Sequence, residues 1–212
     1  MIEQKSQFDE TVAEEELRES EMDSDPIVEF TNWFALAESQ ISEANAMTLA
    51  TASREGKPSA RMVLLKGVDE RGFTFFTNFS SRKSQELEEN PCAALVFWWK
   101  ELRRQVRIEG RVERVAEQES DAYFRSRPRG SQLGALASPQ SLVVPDRQVL
   151  ERTYQELEEK YEGQEIPRPT HWGGYRLVPE RIEFWLSRRN RLHDRICYQK
   201  EQGGWSLERL AP

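Results

Sequence analysis

The feature that most constrains this chain is a change of apolar period at Ala46. From there AMTLATAS, SARMVLLKGVD and FTFFTN follow as short β-branched and aromatic runs, divided by REGKP and DERG. Runs of that length between turn residues predict an antiparallel meander. ALVFWWK and RRQVRIEGRVERV continue as two long strands, the first apolar enough to be buried on both faces. WGGYRLV, RIEFWLS, LHDRICYQ and GWSLERL add further strands, the last two joined through Gln202-Gly203-Gly204. Many short strands with few helices between them fit a doubly wound nucleotide fold poorly, and its GxGxxG loop is absent, as is the phosphate-binding GxxxxGK loop. The expected class is mainly β, a small closed or split β-barrel with flanking helices.

The helices are read around this core. Asp25-Pro26 is a cap followed by a first-turn proline, and Phe30, Trp33, Phe34, Ala37 and Ile41 recur at helical spacing, so a core-packed helix runs to about Ser42. Ser80-Ser81 caps a short helix through Leu87 with Arg82 and Lys83 in its first turn. Cations oppose the positive end of a helix dipole, so their placement there points to a bound anion. A helical piece holding Tyr123 and Phe124 leads into SRPRGSQ, read as a loop at 126–132 where Ser126, Arg127, Arg129, Ser131 and free amides converge on a phosphate-sized anion. Pro145 to Tyr161 forms a further amphipathic helix.

Charge is unevenly placed. Residues 1–30 hold eleven Asp/Glu against two Lys/Arg, which leaves a body of about +2 in a chain of net charge −7. Residues 1–24 are therefore expected to form an acidic, flexible tail, and 25–212 a single domain. A mildly cationic body suits anionic small molecules and is a poor match for nucleic acid. No apolar run is long enough to cross a bilayer and the N-terminus opens with charge, so a soluble, unexported, cytoplasmic protein is expected. Cys92 and Cys197 form no CxxC pair, and with only His171 and His193 the chain has no histidine-built metal centre.

The cations carry the chemistry. Read as a strand, Arg191-Leu192-His193-Asp194-Arg195 puts Arg191, His193 and Arg195 on one face, approached by Phe184 and Trp185. Such a face suits a flat anionic ligand. Its two guanidiniums should keep His193 neutral near pH 7, able to accept a proton or a hydrogen bond. Arg61 and Lys66 end one strand at an odd separation and so address different anionic groups. Two anion sites follow, one from Arg61, Arg82 and Lys83, the other from Lys66, Arg127 and Ser131.

RMVLLK, TNFSSRKSQEL, RQVRIEG, YFRSRPRGSQLGALASPQS, WGGYR, IEFW, RLHDR and WSLERLAP occur in this order. Together they resemble the pyridoxine (pyridoxamine) 5'-phosphate oxidase family from about Pro26 to Pro212. The resemblance implies an FMN-binding split barrel acting as a homodimer with flavin at the subunit interface. It implies oxidation of pyridoxamine or pyridoxine 5'-phosphate to pyridoxal 5'-phosphate, with oxygen consumed and hydrogen peroxide released. By matching motif, the flavin falls to Arg61, Met62, Val63, Leu64, Leu65, Lys66, Phe76, Thr77, Arg82 and Lys83, with Gln105, Gln140, Ser141, Trp185 and Arg195. The substrate falls to Lys66, Tyr123, Arg127 and Ser131 at its phosphate, with Arg191, Leu192 and His193 at the pyridine and its reacting substituent, where Arg191 and His193 are the catalytic pair. Two departures stand out: the tail lacks the Arg/Tyr lid segment frequent in the family, and Leu186-Ser187 replace a common Gln-Gly and are followed by added Arg188 and Arg189. Outside this reading stand another FMN-dependent oxidoreductase on the same barrel and a non-catalytic flavin or pyridoxal phosphate carrier.

Overall fold

The computed structural model describes residues 15–212. Its strands are β1 (Ala46–Ala52), β2 (Pro58–Leu64), β3 (Gly67–Asp69), β4 (Gly72–Asn78), β5 (Cys92–Trp99), β6 (Arg104–Arg114), β7 (Trp172–Leu186), β8 (Asp194–Glu201) and β9 (Gly204–Arg209). They form one antiparallel sheet in the order β2-β1-β5-β6-β7-β4-β3, with β8 on β7 and β9 on β8. The sheet curls into a half-barrel, the mainly β class expected. The two runs WGGYRLV and RIEFWLS are a single strand, β7, because both halves keep pairing with β6 while the first also pairs β4 and the second β8. The register of β6 shifts at Glu109/Gly110, and there a Cβ on Gly110 would lie 2.1 Å from the Val178 carbonyl oxygen. Only glycine lets the two backbones come that close.

Five α-helices accompany the sheet among the described residues: α1 (Pro26–Gln40), α2 (Arg82–Glu89), α3 (Glu117–Ser126), α4 (Arg129–Ala137) and α5 (Arg147–Lys160). Helix α1 starts as its residues dictate, with the Asp25 carboxylate accepting from the Ile27 N–H at 2.8 Å. It seats Phe30 edge-on to Phe73, centroids 4.8 Å apart, and Trp33 against Phe184 at 5.1 Å, which closes the core over the sheet. Truncating Phe30 to alanine would cost about 3–5 kcal/mol at a site this enclosed. None of the described helices is long and apolar enough to cross a membrane.

Three expectations change. β5 is buried on one face only: Leu95, Phe97 and Trp99 enter the core, whereas Trp98 is 48% exposed on the outer face. SRPRGSQ is a corner between two helices, since α4 begins at Arg129, immediately after Pro128 at its N-cap. The tail boundary also moves. The expected flexibility of residues 1–14 lies outside the described residues, but 15–24 are held to the body. Leu17 is buried in the core, Arg209 pairs with Glu19 at 2.7 Å, and Arg104 bonds Glu15. One buried leucine and partners on distant strands outweigh an acidic composition.

Candidate functional site

A cavity of about 570 Å³ opens between the end of β2, β4, the first turn of α2 and the α3–α4 corner. One wall is an aromatic stack: Phe76 lies 4.0 Å from Tyr123 and 5.5 Å from Trp172, both nearly parallel to it. Gly174 makes this possible, because a Cβ there would meet the Phe76 ring at 2.7 Å. The Arg127 guanidinium lies over Trp172 at 4.6 Å, its Nη1 buried without a hydrogen-bond partner among the described residues. Burial lowers the Arg127 pKa, as expected for a cation held against rings. Pro128 and Ser131 bring the N-terminal turn of α4 to the same cavity, adding the positive end of its dipole.

Lys83 sets the electrostatics of the opposite wall. Only 9% exposed, its ammonium donates to Thr77 Oγ1 at 3.0 Å, Ser81 Oγ at 3.1 Å and Gln140 Oε1 at 2.8 Å, all neutral oxygens. Burial, reinforced by repulsion from Arg61, pulls its pKa down to about 8. Lys66 also lines the cavity, and among the described residues no Asp or Glu does. Three cations with no carboxylate beside them among the described residues suit an anion, and the buried Lys83 is the costliest of the three to leave uncompensated.

Arg61 and Arg82 lie beside this cavity and behave differently. Both meet Glu86, at 3.3 and 2.9 Å, and Glu86 also accepts from Thr51 and Ser59, each at 2.5 Å. Burial alone would raise the Glu86 pKa, but the bonds from Ser59, Thr51 and Arg82 hold it near 2. Of the expected trio of Arg61, Arg82 and Lys83, only Lys83 has no carboxylate partner among the described residues. Arg129 likewise turns away from the cavity, donating to the Gln164 and Tyr161 carbonyls at 2.9 and 2.5 Å.

The remaining expected residues form a second patch. Trp98, Gln105, Trp185 and Arg195 are directly paired across β5, β6, β7 and β8, so they share one row on the outer face. Trp98 and Trp185 meet edge-on at 5.9 Å. Arg195 binds Glu183 through two nitrogens, at 2.9 and 3.0 Å, and donates to the Ala211 carbonyl. Arg107 reaches the same carboxylate at 3.4 Å.

Strand alternation does not present Arg191 and His193, because β8 starts only at Asp194. Residues 189–191 form a single 3-10 turn in which Asn190 (φ 56°) and Arg191 (φ 61°) are both left-handed. Such residues cost about 1–3 kcal/mol each and persist where neighbours over-determine them. The turn brings the His193 ring within 4.6 Å of Trp185. Burial, then Arg191, lowers the His193 pKa and so favours the neutral ring. The Arg188 N–H donates to His193 Nδ1 at 3.1 Å, so the proton of the neutral ring sits on Nε2. His193 thus offers a donor outward, where the sequence suggested an acceptor.

The cavity gathers Met62, Val63, Leu64, Lys66, Phe76, Thr77, Lys83, Tyr123, Arg127, Ser131 and Gln140. Leu65 is buried beside it, while Gln105, Ser141, Trp185, Arg191, Leu192, His193 and Arg195 are not among its lining residues. Trp172 and Glu86 were not singled out from sequence. Trp172 had a signal in its place at the head of WGGYR; Glu86, one of several helix glutamates, had none.

Residues 35–161 match the family model described as pyridoxamine 5'-phosphate oxidase, and 172–212 that of the pyridoxine 5'-phosphate oxidase C-terminal dimerisation region. The chain is 60% identical over 200 residues to a pyridoxine/pyridoxamine 5'-phosphate oxidase of Cyanothece sp. strain PCC 7425, covering 94% of each. It is 59% identical over 215 residues to that of Nostoc punctiforme, covering 97% of this chain and all of the relative. Among solved structures, PhzG from Burkholderia lata 383 in complex with tetrahydrophenazine-1-carboxylic acid superposes with a TM-score of 0.87 at 34% identity, over 91% of this chain and 95% of PhzG. A pyridoxamine 5'-phosphate oxidase-related, FMN binding protein from Nostoc punctiforme shares the fold, with a TM-score of 0.71 at 17% identity over 90% of this chain and 100% of that one.

Proposed function

Because the chain belongs to the pyridoxamine 5'-phosphate oxidase family, we propose that it oxidises pyridoxamine and pyridoxine 5'-phosphates to pyridoxal 5'-phosphate with FMN as cofactor and dioxygen as acceptor. Hydrogen peroxide leaves in both cases, and when the substrate is the amine one water is consumed to hydrolyse the imine, releasing ammonia. The observation that carries this reading is the cavity with Lys66, Lys83 and Arg127 and no carboxylate, flanked by an aromatic stack. Cations placed in this way fit two phosphate esters better than one neutral substrate. When bound, FMN supplies a two-electron sink for the hydride of the substrate's exocyclic carbon and returns both electrons to oxygen.

The residues divide the remaining work. Lys83, with Thr77, Gln140 and the neighbouring Arg61 and Arg82, holds the flavin phosphate; the backbone from Met62 to Leu65 and the Phe76 ring flank the flavin. Lys66, Tyr123, Arg127 and Ser131 hold the substrate phosphate. Arg191 covers the outer face of the pyridine, Leu192 packs beside it, and His193 donates from Nε2 to the substrate, orienting the reacting substituent without removing its proton.

Gln105, Trp185, Arg191, His193 and Arg195 come to the cavity from a second copy of the chain, with Ser141 at the same seam. The site is then complete only in a homodimer with FMN at the interface. Exposed Trp98 and Met62 on the outer sheet face supply the apolar contact such an interface needs.

The test is peroxide release. A yellow protein from which FMN is recovered should produce peroxide steadily with pyridoxamine 5'-phosphate and not with unphosphorylated pyridoxamine. Equal rates with both would sink the phosphate assignment, and no peroxide from the flavin-loaded protein would sink the oxidase. A second reading, another FMN-dependent oxidoreductase on this barrel, draws on the likeness to PhzG. It predicts turnover of a ring substrate lacking phosphate, which Arg127 and Lys66 would not require.

A further inference from the structure

The seven residues between β7 and β8 carry Arg191 and His193 on a backbone that local preference does not favour. What fixes this loop is traceable. Ser187 N–H donates to the Arg103 carbonyl at 3.0 Å, and Leu192 N–H to the Arg189 carbonyl at 3.1 Å. Arg188 makes three further connections. Its N–H meets His193 Nδ1, its Nη1 donates to the main-chain carbonyl of Glu15, and its Nε lies 3.5 Å from Asp194 Oδ2. Asp194, 9% exposed, also accepts from the Leu17 N–H at 3.2 Å and from Arg209 at 2.8 Å. Leu17 is anchored in the core. The guanidinium of Arg188 therefore spans the 15–17 segment and the first residue of β8, two fixed points on either side of the loop.

We propose that Arg188 is a positioning residue for His193: its guanidinium, clamped between Glu15 and Asp194, holds its own main-chain N–H against Nδ1 and so fixes the imidazole as an Nε2–H donor. The inference rests on His193 meeting substrate, and Arg188 itself touches none of the reacting atoms. The clamp also gives the 15–17 segment a role beyond covering core, as one of its jaws.

The chain has two histidines, so ¹⁵N-histidine labelling of the full-length, flavin-loaded protein gives two imidazoles to assign. Wild type should show His193 as a single neutral tautomer with the proton on Nε2. Arg188→Ala should shift the Nδ1 and Nε2 resonances toward the average of two tautomers. It should also lower kcat for pyridoxamine 5'-phosphate by about tenfold, with KM and flavin content changing less than about threefold. Arg188→Lys, charged but unable to reach both oxygens, should recover only part of kcat. A wild-type proton on Nδ1, or an Arg188→Ala spectrum identical to wild type, would overturn the proposal. Because the spectrum is read without turnover, a protein with the expected tautomer but no oxidase activity would count against the reaction and leave the Arg188 clamp standing.

Discussion

The cavity and the outer sheet face both carry arginines and lysines, but they treat charge in opposite ways. In the cavity Lys83 faces neutral oxygens and Arg127 a ring, with Lys66 on the same lining, whereas Arg195 and Arg107 share the buried Glu183, and Arg188 and Arg209 share Asp194. Charge left open is stabilised only when a ligand arrives; charge closed by a carboxylate holds the architecture and contributes shape. The first region is therefore read as the part that binds anions, and the second as the part that is brought to them by another chain.

That division is most sharply broken or upheld by mixing two inactive variants. Lys83→Met damages the cavity and His193→Asn the sheet patch. If each site draws its cavity from one chain and its patch from the other, co-refolded variants should regain about a quarter of wild-type peroxide production, since half the dimers carry one intact site of two. No recovery, with mixed dimers demonstrated by a tag on one chain, would place both regions in the same copy. A second contrast concerns stability without flavin. Glu183→Gln should cost about 1–3 kcal/mol by taking the carboxylate from Arg195, while Arg107 keeps Glu109 at 2.7 Å, a range reduced because both guanidiniums reach solvent. Lys83→Met should instead stabilise the flavin-free protein by about 1–2 kcal/mol while weakening FMN about a hundredfold. Denaturant unfolding and flavin titration read both; equal signs in the two variants would erase the distinction.

Much of this arrangement is legible in the sequence, and the remainder has identifiable causes. Helix α1 is announced by Asp25-Pro26 and by Phe30, Trp33 and Ala37, because cap chemistry and helical period are local signals. Lys66, Lys83, Arg127 and Ser131 are recognisable as cations and hydroxyls awaiting an anion, and the fold brings them to one cavity. Glu86 is not legible: its power to neutralise Arg61 and Arg82 arises only when α2 packs beside β1 and β2. The Arg191–His193 turn escapes for a different reason. Period-two reasoning assumes extended backbone, and Asn190 is the sole local hint that the chain goes left-handed there. Leu17 shows the limit of composition, as one apolar residue among acids is enough to dock when a core groove and Asp194 receive it.

Within the cavity, the two phosphate assignments can be separated from each other. Arg127→Met keeps the stack on Trp172 but removes the charge, so KM for the phosphorylated substrate should rise about thirtyfold with FMN affinity unchanged. A parallel loss of flavin would merge the two anion sites into one.

The smallest effect is a slope with pH, and it tests whether Lys83 is as open as it looks. With its pKa lowered from 10.5 to about 8 in the folded, flavin-free protein, Lys83 binds fewer protons folded than unfolded between those values. Stability of the flavin-free protein must then rise with pH across that window, the reverse of what a carboxylate-paired lysine would give. Binding runs the other way. As pH climbs through 8 the free protein loses the ammonium that meets the flavin phosphate, so FMN affinity should fall, by at most about tenfold per pH unit. Lys83→Met should be flat in both measurements between pH 8 and 9. A wild-type protein equally flat in both would mean that Lys83 does not titrate in that window when folded, and the contrast between the open cavity and the closed sheet face would lose its strongest member.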